Sequence, residues 1–383
     1  MPQRTLNLGI LAHVDAGKTT LTERLLYAAG AIGEIGSVDA GTTQTDSLAL
    51  ERQRGITIKS AVVSFAIDDV AVSLIDTPGH PDFIAEVERA LSVLDGAVLM
   101  ISAVEGVQPQ TRILMRALRR LRVPTLMFVN KIDRRGAGYE RPLRAISERL
   151  TPAIVAMGSA HGLGTHAAGF TPCGGADAAF TARLAEVLAE RSDPILAAYV
   201  HAERGIPYRR LRAELAAQTR RGSVHPVFFG SALTGAGVDS LMTGIAELLP
   251  AAGRDTAGPA SGRVFKIERG PVGEKIAYVR MFSGTLRTRD RVRFGRSGER
   301  KVTAISVFAG GSPVRRESVS AGEIAKLWAS RRSRSATRSA SRAGTGSSTG
   351  SPRPPWRRSS YPAIGTTAVP SGSRSPGSPS RTR

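Results

Sequence analysis

Short apolar runs alternate along the chain with longer segments whose apolar residues recur at helical spacing. Leu8, Ile10 and Leu11 form the first run; a tight polar loop follows, then a helix-like segment over 22–30. Residues 58–67 and 70–75 read as two strands joined at the Asp68-Asp69 turn. A helical pattern over 82–94 leads to a buried strand at 97–101. A second helix over 108–121 leads to another buried strand at 125–129. Strands alternating with helices predict a mostly parallel, three-layer α/β sheet, and ligands of such sheets bind beyond the carboxyl ends of the strands. Between the first helix and residue 58 lies a long polar, glycine-rich stretch with room for a short helix at 47–54. Loops of that length tend to be functional.

Beyond residue 133 the periodicity loosens. Residues 134–221 read as an insertion on the α/β domain. Its Gly/Ala-rich part, 156–179, reads as irregular surface structure, with helices at 180–190 and 208–218. A last sheet strand at 224–230 and a closing helix at 238–249 complete a domain of residues 1–250. Residues 251–262 have linker composition. Residues 263–328 are strand-rich, with turns at Gly270-Pro271, Ser283-Gly284 and Ser297-Gly298, and predict a small antiparallel β-barrel.

Composition changes this picture mainly at the end. From residue 329 onward there are 11 Arg and no Lys, Asp or Glu, among Ser, Pro, Gly, Ala and Thr. Such a segment buries too little surface to offset ordering entropy, so 329–383 is expected to be disordered. A basic RNA-binding tail is one reading. The change of composition at Trp328/Ala329 is abrupt and matches a GC-rich gene read out of frame, so a frameshift or truncation after about residue 328 is the preferred expectation. The formal net charge is +21; residues 1–328 hold 42 basic and 32 acidic residues, a net of +10. A moderately basic body is compatible with a nucleic-acid partner without requiring one. The one cysteine, Cys173, excludes an internal disulfide framework and reads as a bystander. No run approaches the ~18 apolar residues of a membrane span, so a soluble, cytoplasmic protein with no membrane partner is expected, as a monomer.

Five signals carry chemistry. The loop His13, Val14, Asp15, Ala16, Gly17, Lys18, Thr19, Thr20 between a strand and a helix is a phosphate-binding loop, with Ala12 where the strict pattern has its first Gly. Backbone N–H groups there form an anion nest, and Gly17 lets the backbone approach the phosphates. Lys18 reaches the β- and γ-phosphates, and Thr19 offers a hydroxyl to Mg²⁺. The His13 ring is assigned a structural part. Asp76 ends a strand, where a carboxylate serves the metal's water shell, and the Gly79 N–H senses a γ-phosphate; Thr57 is placed to close over both. His80 is the candidate to orient an attacking water. In Asn130-Lys131-Ile132-Asp133 the aspartate accepts hydrogen bonds from guanine N1–H and its 2-amino group, donors that adenine lacks. Ser231-Ala232, followed by Leu233, adds a backbone N–H to guanine O6. Each signal alone has a bland alternative: a glycine turn, a strand end, a surface histidine. All five in order, each after a strand, point to a guanine nucleotide.

Together AHVDAGKTT (12–20), RGITI (54–58), DTPGH (76–80), NKID (130–133) and SAL (231–233) resemble the translational GTPases. The stretch IGSVDAGTTQTDSLALERQRGITI (35–58) resembles the tetracycline-resistance ribosomal protection proteins, relatives of elongation factor G, more than the factor itself. The likeness covers 5–328 and is most specific over 5–135. It implies GTP binding and hydrolysis with Mg²⁺, docking on ribosomal RNA and proteins, displacement of tetracycline, and release after hydrolysis. It also implies that 263–328 is the family's second, β-barrel domain. Matched by motif, Lys18, Thr19 and Thr57 serve the phosphates and metal, Asp76 the metal, His80 the water, and Asn130, Lys131 and Asp133 the base. The family continues through three further domains, whereas GEIAKLW (322–328) runs straight into the Arg/Ser segment. Two alternatives therefore stand beside the protection reading: a translocation factor like elongation factor G, and a module that binds GTP or GDP without acting on the ribosome.

Overall fold

The computed structural model describes residues 4–36, 61–76, 84–201, 205–253, 256–294, 299–309, 312–330 and 363–366. Thr57, Gly79, His80 and the short helix expected at 47–54 lie outside these.

The first part of the chain is an eight-stranded sheet. Its strands are β1 (Arg4–Leu11), β2 (Ala61–Ile67), β3 (Val70–Asp76), β4 (Gly96–Ser102), β5 (Thr125–Asn130), β6 (Ile154–Ala156), β9 (His225–Phe229) and β10 (Ala252–Gly253). The order is β2-β3-β1-β4-β5-β9-β6, with β10 added antiparallel to the start of β1. Only β2 and β10 run antiparallel to their neighbours. Period-two alternation along the central strands feeds both faces. Leu126 and Phe128 of β5 point to one side, Met127 and Val129 to the other. The first face is covered by α1 (Lys18–Ala28), α5 (Ala178–Ala189), α7 (Tyr208–Arg220) and α8 (Val238–Leu248), through Leu21, Leu25, Leu184, Leu215 and Ile245. The second is covered by α2 (Ile84–Leu91), α3 (Pro109–Arg120) and α4 (Glu140–Arg149), through Leu91, Leu114, Leu118 and Ile146. The expected three-layer, mostly parallel architecture is present.

Differences lie in the 134–221 segment. Strand β6 joins the main sheet beside β9 and α4 packs on it, so this part is not an appendage. Residues 156–179, expected to be irregular, contain the hairpin β7 (Gly158–His161) with β8 (Gly169–Pro172). Gly158 allows the strands to meet, since a Cβ there would lie 2.3 Å from the Thr171 carbonyl oxygen. An unexpected helix, α6 (Asp193–His201), follows α5.

The second part is a curled, not fully closed, antiparallel sheet. It contains β11 (Ser261–Arg269), β12 (Lys275–Ser283), β14 (Arg291–Phe294), β15 (Glu299–Ala309), β16 (Ser312–Arg316), β18 (Ile324–Ser330) and β19 (Ala363–Thr366), in the order β14-β19-β11-β12-β18-β15-β16. A two-stranded ribbon, β13 (Thr285–Arg287) with β17 (Ser318–Ser320), accompanies it. The turns at Gly270-Pro271 and Ser283-Gly284 fall where expected; 297–298 lies outside the described residues. Strand β19 corrects the expectation of disorder throughout 329–383. Its backbone pairs with β11 on one side and β14 on the other, and unpaired strand edges of that kind recruit a short segment without needing an apolar core of its own.

The two parts share a core. Val62, Ile75, Ala90 and Val93 pack with Phe265, Ile276, Tyr278, Phe308 and Ile324. At its edge Arg280 donates to the Val93 carbonyl at 2.6 Å and to the Asp95 carboxylate, which also accepts the Asn7 backbone and side-chain N–H groups at 2.8 Å. Asn7 donates onward to the Gly322 carbonyl at 3.1 Å. Both carboxylate oxygens of the partly buried Asp95 are thus hydrogen-bonded, the condition under which a desolvated ion pair is tolerated.

One core residue sets an acid limit on stability. His225 in β9 is buried, with Nδ1 donating to the Thr125 carbonyl at 3.1 Å. Burial disfavours its charged form and lowers its pKa to about 4, despite that hydrogen bond. The unfolded chain takes up the proton near pH 6.5, so stability is intact above that pH and falls as pH drops toward 4. A loss of about 2 kcal/mol between pH 7 and pH 5 is expected from this group alone. Chemical denaturation at the two pH values measures it, and His225→Gln should flatten the difference.

Candidate functional site

Strands β1, β3, β4, β5 and β9 end on one edge of the main sheet, and the loops leaving that edge carry all the described motif residues. Leaving β1, residues 12–17 turn sharply into α1. Asp15 (φ 64°) and Gly17 (φ 91°) both adopt left-handed backbone, a conformation that Asp tolerates and glycine adopts freely. Val14 and Asp15 are exposed, Ala16 is buried and Lys18 nearly so. Helix α1 begins with Gly17 as its cap. Gly17 supplies no side-chain cap and no acidic residue lies in the helix's first turn. The positive end of such a helix suits an anion. Thr19 and Thr20 follow in that first turn, half-buried.

Asp76 closes β3 opposite Ile10 of β1 and is fully buried. Its carboxylate forms an ion pair with the Lys18 ammonium, so the loop's cation and the candidate metal ligand already meet. The His13 ring is buried between two side chains beyond the loop. Its Nε2 lies 3.3 Å from the Glu105 carboxylate and its Nδ1 3.4 Å from the Thr111 hydroxyl.

Asn130 links two loops. Its Nδ2 donates to the Ala16 carbonyl at 2.8 Å and its Oδ1 accepts the Ala232 N–H at 2.8 Å. This side chain therefore ties the phosphate-type loop to the Ser231-Ala232-Leu233 loop. It also corrects one expectation: the Ala232 N–H, assigned above to guanine O6, is donated to Asn130. Arg24 of α1 reinforces the tie, donating from Nε to the Ala232 carbonyl at 3.0 Å and from a guanidinium N–H to the Leu233 carbonyl. Ser231 is buried and its Oγ accepts the Thr234 N–H at 3.1 Å; Leu233 is half-exposed.

Lys131 has a left-handed backbone (φ 68°) and donates from Nζ to Glu105 at 3.1 Å. Asp133 has 5% of its side chain accessible; among the described residues its ion-pair partner is Arg134, at 3.9 Å. A near-buried carboxylate with so loose a partner is suited to a ligand carrying N–H donors.

Glu105 and Arg24 were not legible as site residues. Glu105 receives His13 on one oxygen and Lys131 on the other. Burial pushes its pKa up, but hydrogen bonds from Ser102, His13 and Lys131 outweigh this and hold it below the ordinary carboxylate value. Its place just past the carboxyl end of β4 was the available signal. For Arg24, on a helix with no motif, there was none. Among the described residues, no cluster of three or more His, Cys, Asp or Glu side chains is arranged for a metal.

A mostly parallel α/β sheet with this loop entering a helix, and the Asn130 and 231–233 loops on the same edge, defines a phosphate-loop nucleotide-binding fold. The family model described as "Elongation factor Tu GTP binding domain" matches residues 3–251. The chain belongs to that family. Over 332 residues it is 57% identical to the oxytetracycline resistance protein of Streptomyces rimosus, covering 84% of this chain and 50% of that one. Over 340 residues it is 49% identical to the tetracycline resistance protein TetM of Streptomyces lividans, covering 85% and 51%. The chain spans about half the length of these curated relatives. A crystal structure of a Thermus thermophilus protein superposes with a TM-score of 0.75 at 24% identity, over 96% of this chain and 55% of that one, a likeness of fold. No helix among the described residues is long and apolar enough to cross a membrane.

Proposed function

We propose that this chain is a cytoplasmic GTPase of the ribosomal protection type, binding GTP and GDP at the edge described above and hydrolysing GTP when docked on the ribosome. The observation that carries the reading is the Asn130 brace, which ties the phosphate loop to the 231–233 loop three residues ahead of the near-buried Asp133 carboxylate. The N-terminal turn of α1 accepts the phosphates. Lys18 exchanges Asp76 for the β- and γ-phosphate oxygens as they arrive. Asp133 accepts the guanine N1–H and 2-amino hydrogens, and Asn130 and Lys131 shape the wall beside the base. Leu233, next along from the engaged Ala232, presents the remaining backbone N–H of this loop toward O6.

The donors also suit Mg²⁺. Asp76 and Thr19 are hard oxygen ligands beside the phosphate loop. Mg²⁺ takes one or two protein oxygens and completes its shell with phosphates and water. Bound there with Thr57, Mg²⁺ would neutralise charge on the phosphates. His80 is assigned to orienting the water, Gly79 to sensing the γ-phosphate, and the loops carrying Thr57 and Gly79 to ordering around it. In the same reading residues 1–250 are the nucleotide domain and 263–328 a barrel domain riding on it, in a monomer.

Purified chain should turn over GTP at least ~10-fold faster with ribosomes than without, as measured by phosphate release. Nucleotide binding with no ribosomal stimulation would reduce the assignment to a GTP/GDP-binding module.

A further inference from the structure

A second feature lies away from the nucleotide edge, on the helices covering the other face of the sheet. Along α3, Arg112, Arg116 and Arg119 recur at spacings of four and three, which places them in one outward row. Arg120 borders that row, and Arg149 at the end of α4 faces it across a groove of about 470 Å³ floored by the buried Met115 and Leu150. All five arginines are exposed. No carboxylate lines the groove. Arg120 is paired with Glu88 on α2 at 2.5 Å. Among the described residues Arg112, Arg116, Arg119 and Arg149 form no ion pair.

Like charges four apart on a helix destabilise it slightly, and a solvated face normally intersperses acids to relieve this. The recess beside it shows the contrast. That recess shares Arg149 but is also lined by Glu105, Glu140 and Glu148. The groove alone is of one sign.

We propose that this arginine groove is a docking site for the phosphodiester backbone of a folded RNA. Guanidinium groups converging from two helices present planar, two-pronged donors, which suit phosphate oxygens. Protein partners are held mainly by apolar and aromatic anchors in pockets, and the apolar floor here is buried with no aromatic side chain lining the groove. An RNA backbone needs no such anchor: its affinity comes from charge neutralisation and counterion release. The proposal rests on the ribosomal reading above for the identity of the RNA, and it adds a contact separate from the nucleotide cleft.

The test compares the full chain with a variant combining Arg112→Gln, Arg116→Gln, Arg119→Gln and Arg149→Gln, and with the fourfold Arg→Lys counterpart. Probes are purified ribosomal RNA and, separately, poly-glutamate. GDP binding is measured in parallel and should be equal in all three proteins. Four phosphate contacts make RNA affinity fall about 50- to 150-fold between about 50 and 200 mM salt. The Gln variant should lose that dependence and the Lys variant should keep most of it. If wild type fails to bind RNA, if the Gln variant binds RNA as wild type does, or if poly-glutamate competes as well as RNA, the proposal is overturned. GDP binding would still stand in each case, and loss of GDP binding by wild type would instead strike at the nucleotide reading.

Discussion

Asp133→Asn should change which base the chain binds. Only 5% of the Asp133 side chain is accessible and, among the described residues, its ion-pair partner stands 3.9 Å away, which suits the carboxylate to a ligand with N–H donors. Guanine supplies two N–H donors to the two carboxylate oxygens, each bond to a charged acceptor contributing about 1.5–3 kcal/mol. Asparagine turns one acceptor into a donor. It then faces the guanine 2-amino group donor to donor, and GDP affinity should fall about 10²- to 10⁴-fold. Xanthine carries a carbonyl where guanine has that amino group, so the asparagine amide can donate to it. Xanthosine diphosphate should therefore bind the variant more tightly than GDP does. Titration of both nucleotides against both proteins checks this; a variant that keeps GDP affinity within about threefold of wild type would remove Asp133 from the base pocket.

Gly17→Ala should disable the phosphate loop and loosen the loop at 231–233 together. At φ 91° a Cβ is strained, at a cost of about 1–2 kcal/mol. That Cβ would also lie 2.5 Å from the Asn130 Nδ2, so the brace must move. Moving it breaks the bond to the Ala16 carbonyl and frees the Ala232 N–H from its acceptor, at about 1–3 kcal/mol for each buried group left unpaired. GDP binding should weaken by more than about 100-fold and unfolding stability should drop by about 2–4 kcal/mol. Gly33→Ala is the control. Its Cβ would meet nothing within 4 Å and its φ is not positive, so both measurements should stay at wild-type values.

These two residues show where sequence reading reached and where it stopped. Glycine before Lys-Thr and aspartate three past Asn130 were legible because each follows an apolar run that ends at the sheet's carboxyl edge. The strand pattern told which loops would be neighbours. It did not tell that Asn130 would bridge them, since a contact between residues 114 apart has no periodic signature. The Ala232 N–H was assigned to the base for the same reason: its partner lies 102 residues away. In the outer regions the failures have another cause. The β7–β8 hairpin is built largely from Gly, Ala, Ser, His and Thr, without apolar alternation, and β19 owes its place to the open backbone edges of β11 and β14. Apolar alternation finds strands that carry it; it does not find strands whose sequence lacks it. Thr57, Gly79 and His80 remain expectations of the sequence, outside the described residues.

The central claim is that the braced cleft selects a guanine nucleotide. It is tested most directly by displacing labelled GDP from the purified full-length chain with unlabelled GTP, GDP and ATP. GTP and GDP should displace it at comparable, low concentrations, while ATP at about 1,000-fold higher concentration should not. Displacement by ATP as readily as by GTP, or no GDP binding at all, would contradict the assignment.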